Sequence, residues 1–257
     1  MRQKKVVFSN QKGGVGKTTL TRELGIYLAA EGRTVLVIDL DPQANLTRSL
    51  TDEEHPGCHE ALSCERFEIA EIQPNLSLLA GDIKMAMLEK SLIAEIDAYT
   101  RMKELFEHKS FRPFEYILID SPPSLGVLTV NALTAAEYLI IPMNPSLYSM
   151  QGTNDLMSTV QKVKRSLNSD LKLLGVIINA FDSIPVITRQ IKEEIENSFR
   201  DKVFSSVLSK SIKIEEAIAR QKGIITLEKG KVKDEIIRIG EELLDRLHNT
   251  PELKQEA

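Results

Sequence analysis

Val6-Val7-Phe8-Ser9-Asn10-Gln11-Lys12-Gly13-Gly14-Val15-Gly16-Lys17-Thr18-Thr19 runs from a short apolar stretch through a glycine-rich loop into the opening of a helical pattern. Strand, loop and helix in that succession are the context a phosphate-binding loop requires. Glycines let successive backbone N–H groups converge on an anion without obstruction by Cβ. The helical pattern spans 18–30, with Leu20, Leu24 and Leu28 at helical spacing and Gly32 ending it; its N-terminus adds the positive end of a helix dipole. On this reading Gly13, Gly14, Val15 and Gly16 line the phosphates and Lys17 reaches the β- and γ-phosphates. The Thr18 hydroxyl ligates Mg²⁺ and Thr19 touches the α-phosphate.

Outward from the loop, apolar runs alternate with helical patterns. Further strands are expected at 34–38, 76–79, 116–119, 138–141 and 173–178, and helices near 84–109, 125–135, 150–167, 186–199 and 232–248. The strands are continuous apolar runs, as in a parallel sheet covered on both faces. The alternation predicts a doubly wound α/β fold, one mostly parallel sheet with helices on both faces. It is expected to occupy 1–248 as a single domain, with a polar tail at 249–257. The segment 48–75 carries weak periodicity and is expected to hold loops and short helices.

Two acidic clusters close strands on the same edge as the loop. Val37-Ile38-Asp39-Leu40-Asp41-Pro42-Gln43 ends the second, and Ile119-Asp120-Ser121-Pro122-Pro123 the fourth. Ligands of open parallel sheets bind at the carboxyl ends of strands. A carboxylate there holds Mg²⁺ through its waters or orients an attacking water.

The loop departs from the simple G-x-x-x-x-G-K-[ST] pattern: Gln11 stands at the first glycine position and a second lysine, Lys12, follows. This resembles the deviant phosphate loop of the ParA/MinD superfamily. Asp39-Leu40-Asp41-Pro42-Gln43, Ser121-Pro122-Pro123-Ser124-Leu125-Gly126, Thr129-Val130-Asn131-Ala132-Leu133 and Ile140-Ile141-Pro142 look like its ParA/Soj branch. The resemblance covers about residues 4–248 and loosens after 180; Glu216-Ala217 with Gly223-Ile224 matches a further family segment, but Ile225 replaces its usual proline. It implies ATP as the nucleotide and an ATP-dependent homodimer, with Lys12 reaching into the partner's site as an arginine finger would. It also makes Asp41 the residue needed for hydrolysis, with Asp39 supporting Mg²⁺ or water, and Asp120 the Walker B acid. Asn179, ending Val176-Ile177-Ile178-Asn179, falls where the family places an amide on adenine, and an amide offers the matching donor and acceptor.

What such an ATPase drives is read from the rest of the chain. The net charge of −4 does not suggest a cationic coat, yet 184–233 carries eleven Lys/Arg against seven Asp/Glu. Nonspecific double-stranded DNA is the partner implied by the family, with Arg189, Lys192, Lys210, Lys213, Arg220 and Lys222 as candidate phosphate contacts. A ParB-like activator protein, and a cytoplasmic, nucleoid-associated location, follow from the same resemblance. Two other classes compete. A membrane switch like MinD needs a basic amphipathic C-terminal helix; here Ile236, Ile237, Ile239, Leu243, Leu244 and Leu247 back onto Asp234, Glu235, Glu241, Glu242 and Asp245, so core packing and no membrane partner are expected. A cluster-assembly or electron-transfer protein needs cysteine ligands; Cys58 and Cys64 fall with His55 and His59 in one window, but the adjacent Cys58-His59 suits one tetrahedral ion poorly. Positioning of a protein assembly in place of DNA stays open, as do the replicon moved and the identity of the activator.

Overall fold

The computed structural model describes residues 3–146, 149–182, 184–227 and 229–250, with the side chains of 149–151 outside the description. The apolar runs become β1 (Lys4–Phe8), β2 (Val35–Asp39), β3 (Ala70–Gln73), β4 (Leu76–Leu79), β5 (Tyr116–Asp120), β6 (Tyr138–Met143) and β7 (Lys172–Ile178). Between and after them lie α1 (Lys17–Ala30), α2 (Asn45–Leu50), α3 (Cys58–Leu62), α4 (Met85–Leu92), α5 (Arg101–Leu105) and α6 (Val127–Ala135), then α7 (Ser149–Ser166), α8 (Val186–Phe199), α9 (Ile212–Ala219) and α10 (Lys231–Asn249). Among the described residues the strands form one sheet, β3-β4-β2-β5-β1-β6-β7. The pairings are parallel except β3 with β4.

Every residue of β2 and β5 is buried. Val35, Val37, Tyr116 and Leu118 pack in the layer of α1, α2, α9 and α10, and Leu36, Ile38, Ile117 and Ile119 in the layer of α3 through α8. Apolar residues at every strand position thus serve two cores at once. The inner face of α10, Ile236, Ile239, Leu243 and Leu247, is fully buried. Its Gly240 lies so close to α1 that a Cβ would stand 2.2 Å from the Tyr27 ring. No helix among the described residues is long and apolar enough to cross a membrane.

Three elements differ from the sequence reading. β3 arises in 48–75 because an edge strand with one buried residue has no apolar run; Asn75, at φ 67, turns it back onto β4. The helix expected at 84–109 divides into α4, α5 and a 3₁₀ turn at Lys109–Phe111. Buried Ala98, Met102 and Phe106 stand at helical spacing, but Asn131 donates to Ala98 O and accepts from Met102 N. A side chain distant in sequence therefore takes the backbone groups that a continuous helix would pair. Helix α9 was not anticipated; it buries only Ile214 and Ala217 and is capped by Ser211. α10 runs to Asn249, one residue into the expected polar tail, of which 251–257 lie outside the described residues.

Leu118, at the centre of the sheet under α1, is fully buried. Leu118→Ala is expected to cost about 2–5 kcal/mol of unfolding free energy. Urea denaturation should register this as a lower midpoint at unchanged slope.

Candidate nucleotide site

The loop 9–16 lies between β1, next to the central strand β5, and α1, and its shape is held from outside. Gly14 and Gly16 have φ of 71° and 93°, a region that excludes most side chains. At Gly16 a Cβ would stand 2.0 Å from Asn179 Nδ2, so glycine is required twice over. Asn144, just beyond β6, donates its amide to Gly14 O at 2.9 Å, and Asn179, just beyond β7, donates to Val15 O at 2.9 Å. Asn10 accepts from Lys12 N and donates to Pro142 O. Lys17, the first residue of α1, is buried with its ammonium 3.4 Å from Lys12 O.

The carboxylates converge because the strands are in register. Phe8 pairs with Asp120, and Asp39 pairs with Asp120 across the next ladder. Thr18 Oγ1 donates to Asp120 Oδ2 at 2.6 Å, while the buried Asp120 Oδ1 has no hydrogen-bond partner among the described residues. Burial pushes the Asp120 carboxyl well above its ordinary value, with Asp39 adding repulsion and Thr18 and Lys17 opposing. Burial likewise lowers the Lys17 pKa, against the pull of Asp120 and Asp41. A hydroxyl beside a carboxylate with an orphaned oxygen is a hard-oxygen donor set that suits Mg²⁺.

Asp39 is placed differently from Asp41. Its oxygens accept from Asp41 N, Thr47 N and Thr47 Oγ1, at 3.1, 2.8 and 2.8 Å. Burial raises it to about 6 despite those bonds. Asp39 therefore braces the turn that carries Asp41. Asp41 reaches the wall of a cavity of about 660 Å³ whose lining also includes Gly13, Gly14, Gly16, Lys17, Thr18 and Thr19. Asn179 and Lys210 lie on the same wall, whereas Lys12, Val15, Asp39 and Asp120 are outside the lining. Lys12 instead donates to Ser146 Oγ at 2.6 Å.

The other basic candidates divide between the two core layers. Arg189 and Lys192 sit on α8, whose Ile191 and Ile195 pack in the layer of α6 and α7; α9, with Lys213, packs through Ile214 and Ala217 beside α1 and α10, and Arg220 and Lys222 follow it. Arg189, Lys213, Arg220 and Lys222 are exposed, and Lys192 pairs with Glu196 at 2.5 Å. In the His55–Cys64 window Cys58 is buried, Cys64 lies against Arg101, and no group of three metal-ligating residues forms among the described residues.

Sequence reasoning missed a buried ion pair at the cavity. Arg22 and Glu23, on the second turn of α1, are fully enclosed and bonded to each other. Arg22 also donates to Ser49 O of α2 and to Lys222 O, while Glu23 accepts Ile224 N at 2.7 Å. Helix α1, the segment after Asp41 and the chain after α9 thus meet on two side chains. Two adjacent polar residues in a helical pattern look like solvent positions, so only the enclosing C-terminal segment reveals them.

Strand-ended carboxylates, a helix-opening lysine and a glycine loop braced by asparagines define a nucleotide-binding α/β protein of the phosphate-loop class. An AAA-domain family matches residues 3–173. The sporulation initiation inhibitor protein Soj of Bacillus subtilis is 36% identical over 227 residues, covering 86% of this chain and 89% of that protein. The chromosome partitioning protein ParA of Caulobacter vibrioides is 34% identical, covering 82% of each. A Mycobacterium smegmatis structure described as cobyrinic acid a,c-diamide synthase with bound ATP analogue and magnesium superposes with a TM-score of 0.84 at 28% identity. It covers 96% of this chain and 97% of its own. The chain belongs to the ParA/Soj family of partition ATPases.

Arg22→Ala leaves Glu23 buried without its cation, which is expected to cost about 3–5 kcal/mol. Burial already raises the Glu23 pKa and Arg22 opposes that. In the variant the native state holds a proton that the unfolded chain releases, so its deficit should be largest above the raised pKa. Acidification towards the ordinary glutamate value should shrink it. Denaturation of wild type and variant at a series of pH values measures this; a deficit independent of pH would remove Glu23 from the account.

Proposed function

We propose that this chain is an ATP-driven switch that pairs with a second copy when ATP and Mg²⁺ are bound, holds duplex DNA nonspecifically in that state, and is reset by hydrolysis. The observation that carries this reading is the Thr18–Asp120 contact beneath a Gly16–Lys17 helix start, with Asp41 on the cavity wall. The family relationship supplies the cargo class, a chromosome or plasmid.

Backbone N–H groups of the loop and the Lys17 ammonium bind the β- and γ-phosphates, where a preorganised positive site stabilises developing charge. Thr18 and Asp120 would hold Mg²⁺, which neutralises phosphate charge when bound. Asp41 orients the attacking water and Asp39, bonded to Thr47, keeps Asp41 in place. Asn179 is offered as the adenine contact through the part of its amide not given to Val15. Lys12 stands outside its own cavity lining, which supports a role in the partner's site. The DNA surface is assigned first to Lys213, Arg220 and Lys222, because Lys222 O and Ile224 N are tied directly to α1. Arg189 and Lys192 would extend it from α8, and Lys210 sits where the nucleotide and the cationic segment meet. A ParB-like protein would accelerate hydrolysis at the nucleoid.

Purified protein should bind random duplex DNA with ATP and much less with ADP or none. If each protomer neutralises four phosphates, raising salt from 50 to 200 mM should weaken binding by about 150-fold per protomer. Absence of DNA binding in every nucleotide state overturns the DNA assignment. Lys17→Ala should abolish ATP binding. Asp41→Ala should bind ATP, stay dimeric and turn over poorly; normal turnover would move the water-orienting role elsewhere. Arg220→Glu with Lys213→Glu should lose DNA while keeping ATPase activity.

A further inference from the structure

The nucleotide cavity has two sides beyond the phosphate loop. Asp41 and Pro123 follow β2 and β5 on one side of β1, and Asn179 follows β7 on the other. The Thr18–Asp120 pair places the metal and the terminal phosphate on the first side, so the nucleoside extends along the second. That wall is made by Asn179, Ser209 and Lys210, with apolar Ile214 and Ile218 beside them.

The hydrogen-bonding character of this wall is set from outside the cavity. Phe181 and Ser209 form a parallel bridge, in which Phe181 N–H donates to Leu208 O at 3.0 Å and Lys210 N–H to Phe181 O at 3.2 Å. Glu235, on α10, takes the donors that remain: its carboxylate accepts the Ser209 N–H at 2.8 Å and the Ser209 hydroxyl at 2.7 Å. Asn179 gives its amide hydrogens to Val15 O at 2.9 Å and Asn144 Oδ1 at 3.4 Å. What the Asn179 amide, Ser209 and the Lys210 backbone offer a ligand is therefore oxygen lone pairs.

Core packing does not account for Glu235. It is 6% exposed, and Ile236 and Ile239 beside it on α10 are fully buried. Lys231, one turn earlier and largely in solvent, stands 3.6 Å from it. A carboxylate withdrawn from water is costly unless donors meet it. An apolar side chain would fill the same space, but it would leave the buried Ser209 N–H unpaired and the hydroxyl proton free to turn towards a ligand. Adenine carries an amino donor where guanine carries a carbonyl acceptor. A wall of acceptors receives the first and repels the second.

We propose that Glu235 is a positioning residue for base selection: by holding both donors of Ser209 it keeps this stretch of the wall an acceptor, so that the site takes adenine nucleotides over guanine nucleotides. The inference rests on the nucleotide reading above. Calorimetric titration of the full chain with the Mg²⁺ complexes of ATP, GTP and tripolyphosphate separates the base from the phosphates. The wild type should hold ATP well above GTP. Glu235→Gln keeps the size of the side chain, but its NH₂ meets the Ser209 hydroxyl and turns that proton towards the ligand. The ratio of ATP to GTP affinity should then fall by about tenfold, with tripolyphosphate affinity unchanged. Glu235→Ala should lower the ratio likewise, and the glutamine variant decides the matter if the alanine variant does not fold. An unchanged ratio in the glutamine variant, or an equal loss for all three ligands, overturns the role of Glu235. A wild type that holds ATP and GTP alike overturns the base selection and leaves the phosphate site standing. A wild type that binds none of the three removes the nucleotide reading itself.

Discussion

Charge taken out of water at the ends of β5 and α1 is the constraint around which the molecule is arranged. Asp120, Asp39 and Lys17 are all buried within one turn of the loop. None is cheap to keep there alone. Thr18 and Lys17 offset the cost of Asp120 only in part, which is why its carboxyl is driven so far from the ordinary range. A bound divalent cation would complete the balance by answering the orphaned Oδ1. The Thr18 hydroxyl beside the Asp120 carboxyl is a donor set suited to Mg²⁺ carried by a nucleotide.

The same economy links the site to distant chain. Two leucines could match the ion pair itself but would leave Ser49 O, Lys222 O and Ile224 N without their partners. What the ion pair adds is direction: its remaining donors and acceptor fix Ser49, Lys222 and Ile224 to the helix that begins at the phosphates. On the opposite face Gly81, in the turn before α4, bonds to Thr47, and Glu89 of α4 fills the space that a Cβ on Gly126 would need. The Asp41 turn is therefore held between two layers, each with its own outer surface.

Most of the architecture was legible because parallel strands covered on both sides must be apolar at every position, as in Val35 through Ile38 and Tyr116 through Ile119. The loop was legible because its glycines and lysines have no equivalent structural use. Elements set by partners remote in sequence were not. At the entry to α5, Asn131 takes the backbone groups of Ala98 and Met102 that a continuous helix would pair with each other. β3 needs only a neighbour's edge, and α9 packs through two residues. In the site, residue types pointed to Lys17, Thr18, Asp41 and Asp120, whereas the bracing of Asp39 by Thr47 depends on a helix start eight residues away. The grouping of the basic residues was also hidden, because a count of charge along the chain does not say which core layer each helix joins.

The two asparagines that hold the loop bear on how its shape arises. Asn144 and Asn179 take the carbonyls of Gly14 and Val15, and a planar trans peptide then turns the N–H groups of Val15 and Gly16 the opposite way. The anion nest is therefore cast when the protein folds rather than when a ligand arrives. A nest already set by the fold spends none of a ligand's binding energy on ordering the loop.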